Sequence, residues 1–575
     1  MKKRFYQFIA LFLVFIPLLL GGRCEDLGGN PFEPVDPLFQ RIVTVGDSIT
    51  EGVMSGDANF QTQPYAYPVL LARQANTEMP VPLMVAESSG YHRTIPGLYA
   101  YNIGVSGMDV ALTSILTTKK TVADWKRTTN FTSFVSDSSF SFTDELDAVL
   151  SPQPVGTNSL DVAKNLGPTF IVFWLGNNDA LGSVAGTGRL DPNDSSKYAS
   201  GLPQNLSGIT ESGLNYQTHF IDGVIKPLST QLAAAIFAAQ LDDNDPRGSG
   251  LGYRPVERMA QTGAPHNFQS KYRAALDALM AISTNPKVVV LNIPDVTAIA
   301  SLFSFSEAKQ FFITYGGATQ AELDQAWGTT GFGGDASAKV PLEIMILGLN
   351  IYKNLKGSLG SAVALRYVSQ GAAIGTNTGF TYIGTSQNQN VSLFDWDVNN
   401  IVTSELNTLQ AVLGALNTAI QTEVNNVAAA NPGRITLKDI NAFFNTVKTN
   451  GYEIKDPAGN VVAKLSRVYP GAGDPNSNDG SKTNGGIFTL DGIHPTPTAH
   501  AIITNQIIDQ SNKDFNTSLP KVDEYSAWLM DPMVDHDKDG YIVGFSFTRS
   551  STSIGEKVIL RDPNDGDPNS KPSIP

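Results

Sequence analysis

Short apolar runs alternate along the chain with stretches in which apolar positions recur at helical spacing. Five of the runs are rich in β-branched residues and end in polar or glycine-containing turns, a pattern that predicts buried parallel strands. They span residues 41–45, 99–103, 169–175, 287–293 and 434–440. A long helical pattern covers residues 405–428. Strands that alternate with helices predict an α/β fold, a three-layer α/β/α sandwich around a five-stranded parallel sheet.

The distances between the predicted strands exceed the roughly 30 residues of a βαβ unit. We interpret residues 40–522 as one α/β domain with insertions near 180–265 and 300–400; a second domain embedded in the first is the alternative. Residues 25–39 are predicted to form a linker before this domain. Residues 523–575 are predicted to form a small C-terminal appendage rich in Asp, Pro and Asn.

The first 24 residues have the pattern of a signal peptide. Basic residues at positions 2–4 precede an apolar run over residues 8–20, which is shorter than the about 20 residues that a membrane span needs. We therefore expect an exported protein, either periplasmic, secreted or held at the cell surface. Cys24, the only cysteine, stands where bacterial lipoproteins carry their lipidated cysteine, so a membrane tether through Cys24 is one interpretation. The other is an ordinary signal peptide, because Arg23 occupies a position where a small residue is usual.

The charge and histidine content of the chain exclude some classes of partner. Its 575 residues carry a formal net charge of −14 without a Lys/Arg-rich block, so nucleic acid is not expected as a partner. His92, His219, His266 and His500 lack the paired spacing of a zinc site. No cofactor is implied by these patterns.

An acidic segment near the C-terminus resembles the first half of a calcium-binding loop. Asp535, Asp537 and Asp539 alternate as calcium ligands do, but Ser546 stands where such a loop needs a bidentate glutamate. The segment is therefore predicted to be either a weak calcium site or a solvated acidic turn.

Four short motifs carry the candidate chemistry, and three of them directly follow predicted strands. They are Gly46-Asp47-Ser48, Asn102-Ile103-Gly104-Val105-Ser106-Gly107, Gly176-Asn177-Asn178-Asp179 and Asp491-Gly492-Ile493-His494. Ligands bind outside the carboxyl ends of the strands in open α/β sheets, so the first three motifs are expected to converge there. A serine hydroxyl becomes nucleophilic when a base takes its proton, and His494 with Asp491 three positions earlier can supply an oriented base. Backbone N–H groups at a glycine turn and a carboxamide can hold the oxyanion.

These motifs, in this order, resemble the four blocks of the GDSL/SGNH hydrolase family, and the resemblance covers roughly residues 40–520. It implies a flavodoxin-like strand order and a catalytic triad of Ser48, Asp491 and His494. The implied activity is that of an esterase or lipase, which hydrolyses a small-molecule or lipid ester through an acyl-enzyme on Ser48.

The resemblance also implies an oxyanion hole, formed by the backbone N–H groups of Ser48 and Gly107 and the side chain of Asn178. Gly104 is the alternative glycine. Acyl transfer to another alcohol and de-acetylation of a glycan would use the same residues. A surface binding protein with a vestigial site is the alternative from a different functional class.

One segment of the second insertion, residues 342–352, is apolar nearly all round a helix. Such a helix has to bury itself against other elements. Ordinary core packing is one interpretation. The other is that the segment leans over the carboxyl edge of the sheet and forms an apolar wall for an acyl chain near Ser48.

Overall fold

The computed structural model describes residues 33–118, 146–181, 268–370, 403–467, 486–536 and 542–545, apart from positions 56–57, 88–89, 94–96, 109, 111–112, 114–117, 147, 151, 333 and 535. The predicted signal peptide with Cys24, most of the linker and nearly all of the insertion near 180–265 lie outside the described residues. The acidic residues Asp535, Asp537 and Asp539 lie outside them as well. Within the described ranges, no helix is both long enough and apolar enough to cross a bilayer.

The strands and helices follow one another along the chain in α/β order. The strands are β1 Ile42–Gly46, β2 Met84–Glu87, β3 Gly90–Arg93, β4 Asn102–Gly104, β5 Phe170–Trp174, β6 Lys287–Leu291, β7 Leu302–Phe303, β8 Val340–Pro341, β9 Ile435–Lys438, β10 Tyr452–Lys455 and β11 Val461–Leu465. The α-helices are α1 Ser48–Glu51, α2 Tyr67–Ala75, α3 Ser159–Asn165, α4 Asn177–Leu181, α5 Phe268–Met280, α6 Phe305–Gly316, α7 Gln320–Trp327, α8 Leu342–Leu359, α9 Ser361–Gln370, α10 Thr403–Ala430, α11 Ile440–Asn450, α12 Pro497–Phe515 and α13 Glu524–Leu529. Short 3-10 helices span Pro37–Phe39, Gln63–Tyr65 and Val296–Ala298.

Five parallel strands form the central sheet in the order β4-β1-β5-β6-β9. The register places Val45 beside Ile103 on one side and beside Phe173 on the other. Numbered along the chain, the five strands have the order 2-1-3-4-5, which is the flavodoxin-like arrangement. The predicted α/β sandwich with five parallel strands is confirmed, because these runs are buried on both faces as parallel strands require.

Helices cover both faces of this sheet. Val43 and Ile171 point to the face on which α3, α5 and α10 pack. Their neighbours Ile42 and Val172 point to the opposite face, which α2 and α12 cover. Successive side chains of a strand alternate between faces, and burial of one such side chain contributes about 1.5–3 kcal/mol. The three layers therefore follow from the alternation of residues within each strand.

A second hydrophobic cluster, outside the sheet, joins α6, α7, α8 and α9. Leu342, Met345, Leu349 and Tyr352 of α8 are buried in it. A Cβ at Gly316 of α6 would lie 2.9 Å from the Tyr352 ring, so these two helices approach each other closely. Ordinary core packing, one of the two interpretations, therefore holds for these described side chains. The other interpretation, an apolar wall beside Ser48, does not hold for them, because they pack in this cluster.

The first part of the predicted C-terminal appendage packs against the rest of the protein. Helix α13 contacts α12 and β10. Met533, Ile542 and Phe545 are buried in one cluster with Met54 and Leu490. This stretch therefore covers the loops that follow Ser48 and precede His494.

Candidate active site

The nucleophile motif forms a tight turn between β1 and α1. Asp47 is the N-cap of α1, and its Oδ1 accepts a hydrogen bond of 3.0 Å from the Ile49 backbone N–H. A Cβ at position 46 would lie 1.9 Å from Thr50 Oγ1, so only glycine fits at the end of the strand. Ser48 is thereby placed as the first residue of the helix, at the carboxyl edge of the sheet.

The acid–base pair precedes α12 on a separate loop. His494 Nδ1 and Asp491 Oδ2 are 2.7 Å apart. Asp491 Oδ1 accepts the backbone N–H groups of Ile493 and His494 at 2.8 and 2.9 Å. Burial raises the pKa of Asp491, but the His494 ring and these N–H donors outweigh it and hold the pKa below its usual range. An ionised Asp491 fixes the proton of the imidazole on Nδ1 and leaves Nε2 as the base.

A pair of hydrogen bonds joins the segment that follows Ser48 (the nucleophile segment, residues 48–55) to the loop that carries Asp491 and His494 (the acid–base loop, residues 489–494). The backbone N–H of Ser55 donates to Thr489 Oγ1 at 2.8 Å, across 434 positions of the chain. The Leu490 N–H donates in return to Ser55 Oγ at 3.4 Å. Among the described residues, Ser48 Oγ and His494 Nε2 are near the same edge but do not hydrogen-bond to each other. Catalytic hydrogen bonds of this kind often tighten only when substrate is bound.

The expected oxyanion donors follow three different strands at this edge. Gly107, with φ +75°, follows β4, and Asn178 lies in α4 directly after β5. One N–H of the Asn178 amide donates to the Met108 carbonyl at 3.0 Å, which leaves the second N–H of this group for a ligand. The backbone N–H groups of Ser48 and Gly107 donate to no acceptor among the described residues.

Gly104 has a different role. Its N–H donates to Asn102 Oδ1 at 3.1 Å, and a Cβ at this position would lie 2.1 Å from the backbone nitrogen of Glu51. Gly104 therefore permits close packing of β4 against α1, while its N–H is already used. The geometry favours Gly107 over Gly104 as the oxyanion donor.

Asp47 has a second contact that the motif analysis did not predict. Its Oδ2 accepts a hydrogen bond of 2.8 Å from Asn177 Nδ2, which ties the nucleophile turn to the helix that carries Asn178. Burial raises the pKa of Asp47 from 3.8 to about 6, although the bonds from Asn177 and Ile49 oppose the rise. The sequence shows only that Asn177 stands next to Asn178. That position does not indicate that Asn177 bonds to Asp47.

Asp47→Asn is expected to remove a pH dependence of stability. Because the folded pKa is raised, the stability contributed by Asp47 is fully present below pH 3.8 and is lost as pH rises through about 6. The loss is on the order of 3 kcal/mol. The Asn that replaces Asp47 can still cap the helix through its side-chain oxygen. Its new N–H would donate to Asn177 Oδ1 after the Asn177 amide rotates, since this oxygen has no partner in the parent protein. In urea unfolding, the free energy of unfolding of the variant should rise relative to that of the parent between pH 4 and pH 7. A difference that stays constant over this range would contradict this account.

His500 is fully buried in the core. Its Nδ1 accepts a hydrogen bond of 3.3 Å from the Tyr67 backbone N–H, and its ring stacks on that of Tyr67. Burial lowers the pKa of His500 to about 3, so the ring is neutral at ordinary pH. Its place in α12 is that of a packing residue. Among the described residues, no group of three or more His, Cys, Asp or Glu side chains could hold a metal ion.

A cavity opens beside the chain neighbours of the candidate catalytic residues. Ile49, next to Ser48, lines one part of it. Ile493 and Pro495, on either side of His494, line another part. Ser48 and His494 are themselves only 8% and 9% exposed, and the cavity is lined by their chain neighbours rather than by these two side chains.

Comparison with known proteins gives one match. A family model described as GDSL-like Lipase/Acylhydrolase matches residues 42–332, which is half of the chain. The matched range includes Ser48, Gly107 and Asn178, whereas Asp491 and His494 lie beyond it. The comparisons with curated proteins and with solved structures find no match.

Proposed function

Because the chain belongs to the GDSL-like lipase/acylhydrolase family and is therefore a hydrolase, we propose that it cleaves carboxylic esters through an acyl-enzyme on Ser48. The observation that supports this most directly is the 2.7 Å contact between His494 Nδ1 and Asp491 Oδ2, on a loop hydrogen-bonded to the nucleophile segment. Such a pair serves to activate a serine hydroxyl.

In the proposed reaction, Ser48 Oγ attacks the ester carbonyl carbon while His494 Nε2 takes the hydroxyl proton. The negative charge that forms on the carbonyl oxygen is held by the N–H groups of Ser48, Gly107 and the Asn178 side chain. His494 then gives its proton to the leaving alcohol as the C–O bond breaks. Water attacks the acyl-enzyme by the same route, releases the carboxylic acid and restores Ser48.

We propose that the hydrolase acts outside the cytoplasm. The basic residues at positions 2–4 and the apolar run 8–20 support export, and Cys24 supports a lipid tether after cleavage. Either a tethered or a released protein would meet its ester substrate in the periplasm or beyond.

The proposed nucleophile is tested with a fluorophosphonate probe, which reacts covalently with activated serines. The parent protein should be labelled on the peptide that contains Ser48, and Ser48→Ala should lose both labelling and hydrolysis of 4-nitrophenyl acetate. Ser283→Ala, at an exposed serine away from the site, is the matched control and should label normally. Absence of labelling in folded parent protein would favour a binding module. A product that appears only with an added alcohol would favour acyl transfer.

A further inference from the structure

The cavity beside Ser48 has a lining that is almost wholly apolar. Residues from three separate parts of the chain contribute to it: Val296 and Ile299 after β6, Phe444 and Val447 of α11, and Ile487 and Phe488 before the acid–base loop. Ile493 and Pro495 bring the same lining up to His494. The cavity thus reaches the immediate chain neighbours of Ser48 and His494 and is built mainly from carbon atoms.

The few polar side chains in the lining are already bonded to other protein groups. Lys448 Nζ and Asp295 Oδ2 form an ion pair of 2.8 Å, and burial of Asp295 is outweighed by this lysine and by Thr297, which hold its pKa below the usual range. The Arg467 guanidinium donates to the carbonyls of Ala298 and Leu302 at 3.0 and 3.1 Å and pairs with Glu307. These groups close part of the cavity, and each already has a bond to another protein group.

The amide and indole groups of the lining are also bonded to other protein groups. Asn177 Nδ2 donates to Asp47, and Trp174 Nε1 donates to the Asn292 carbonyl at 3.1 Å. Asn177 Oδ1 has no partner, but it is fully buried and does not face the cavity surface. A sugar in this space would leave most of its hydroxyl groups without hydrogen-bond partners, which disfavours its binding.

We infer that this cavity binds the acyl chain of the substrate and selects unbranched chains longer than butanoyl over acetyl, an inference that rests on the proposed ester hydrolysis. The acyl group stays attached to Ser48 until water attacks, so it can occupy an enclosed space, whereas the alcohol has to leave after the first step. A lining that is mostly apolar suits an alkyl chain. It offers few partners to the hydroxyl groups of a glycan.

The measurement is kcat/KM for 4-nitrophenyl esters from acetate to decanoate, in the full-length protein. We expect kcat/KM to rise about 100-fold from butanoate to octanoate, because each buried CH₂ strengthens binding several-fold. A second series, alkyl acetates with alcohols of increasing length, should show no comparable rise. A rise in the alcohol series alone would overturn the inference and assign the cavity to the leaving group.

Ala298→Trp provides the structural test, because this half-buried alanine lines the cavity and a bulky ring there would fill it. The ratio of octanoate to butanoate kcat/KM should fall at least tenfold in the variant. Ala298→Leu, which is smaller and easier to accommodate, should lower the ratio in the same direction. Ala429→Trp, at an exposed position of α10, is the matched control and should keep the parental ratio.

The two possible failures can be distinguished. If the parent protein reacts with the fluorophosphonate probe and cleaves acetate as well as octanoate, the hydrolase assignment stands and the acyl-chain inference is wrong. If neither probe nor any ester reacts with the folded protein, the proposed function itself fails. An unchanged octanoate-to-butanoate ratio in both Ala298 variants would also refute the inference, because the chain would then bind elsewhere.

Discussion

His494→Ala is expected to lower kcat for ester hydrolysis by about 10⁵–10⁶-fold, because triad members act as a unit and the serine has no other base. The described structure supports this magnitude, since His500 is buried, neutral and bonded to Tyr67, and so cannot replace it. The measurement is single-turnover hydrolysis of 4-nitrophenyl octanoate and acetate, which reports acylation directly. Residual catalysis of about 10³–10⁴ over water would come from the oxyanion donors and from binding.

The control for this variant is His500→Asn. The Asn Oδ1 takes the position of His500 Nδ1 and can still accept the Tyr67 N–H, so the substitution should lower Tm through poorer packing and leave kcat of the folded protein little changed. If His500 were the base, the large loss of kcat would appear in the His500 variant and not in His494→Ala. Near-normal turnover in His494→Ala would refute the triad assignment whatever the behaviour of His500.

Asp491→Asn is expected to lower kcat by about 10⁴-fold while the loop keeps its shape. The Asn oxygen can still accept the N–H groups of Ile493 and His494, which Asp491 Oδ1 accepts in the parent protein. The amide nitrogen would then face His494 Nδ1. Because a donor in that position stabilises the tautomer with its proton on Nε2, the ring would lose its ability to take the serine proton.

The loss in Asp491→Asn should appear in kcat and leave KM nearly constant, since Asp491 touches no substrate in this mechanism. Asp523→Asn is the matched control, because Asp523 caps α13 and Asn caps a helix as well as Asp does. A variant at position 491 with parental kcat would show that Asp491 only shapes the loop.

The sheet could be predicted from the sequence because its determinants are local. Each strand is a short β-branched run, and the predicted third strand at 169–175 is observed as β5 Phe170–Trp174 with every residue buried. The positions of Ser48, Gly107 and Asn178 followed from the same logic, since each comes directly after a strand of one parallel sheet. Such local patterns can be recognised without knowing which residues will be neighbours in the folded protein.

The cavity could not be predicted, because its walls come together only in the folded chain. Val296, Val447 and Phe488 belong to three segments whose patterns indicate ordinary core positions. One interpretation of the sequence placed an apolar wall for the acyl chain on helix α8 instead. The pattern of that helix shows that it is buried but does not show which apolar residues it packs against. The hydrogen bond between Asp47 and Asn177 was missed for a related reason: the partner of a polar side chain depends on spatial neighbours that spacing does not encode.

The hydrogen bond from Ser55 to Thr489 has a consequence for the timing of activity during synthesis. A ribosome adds about 5–20 residues per second, so roughly 20–90 s pass between the synthesis of Ser48 and that of His494. During this interval the nascent chain contains the proposed nucleophile without its proposed base, even if the first strands have paired. Under the proposed mechanism, ester cleavage can begin only after the loop that carries Thr489 and His494 has been translated and has closed onto the segment that carries Ser48 and Ser55. The order of synthesis would then keep the growing chain inactive.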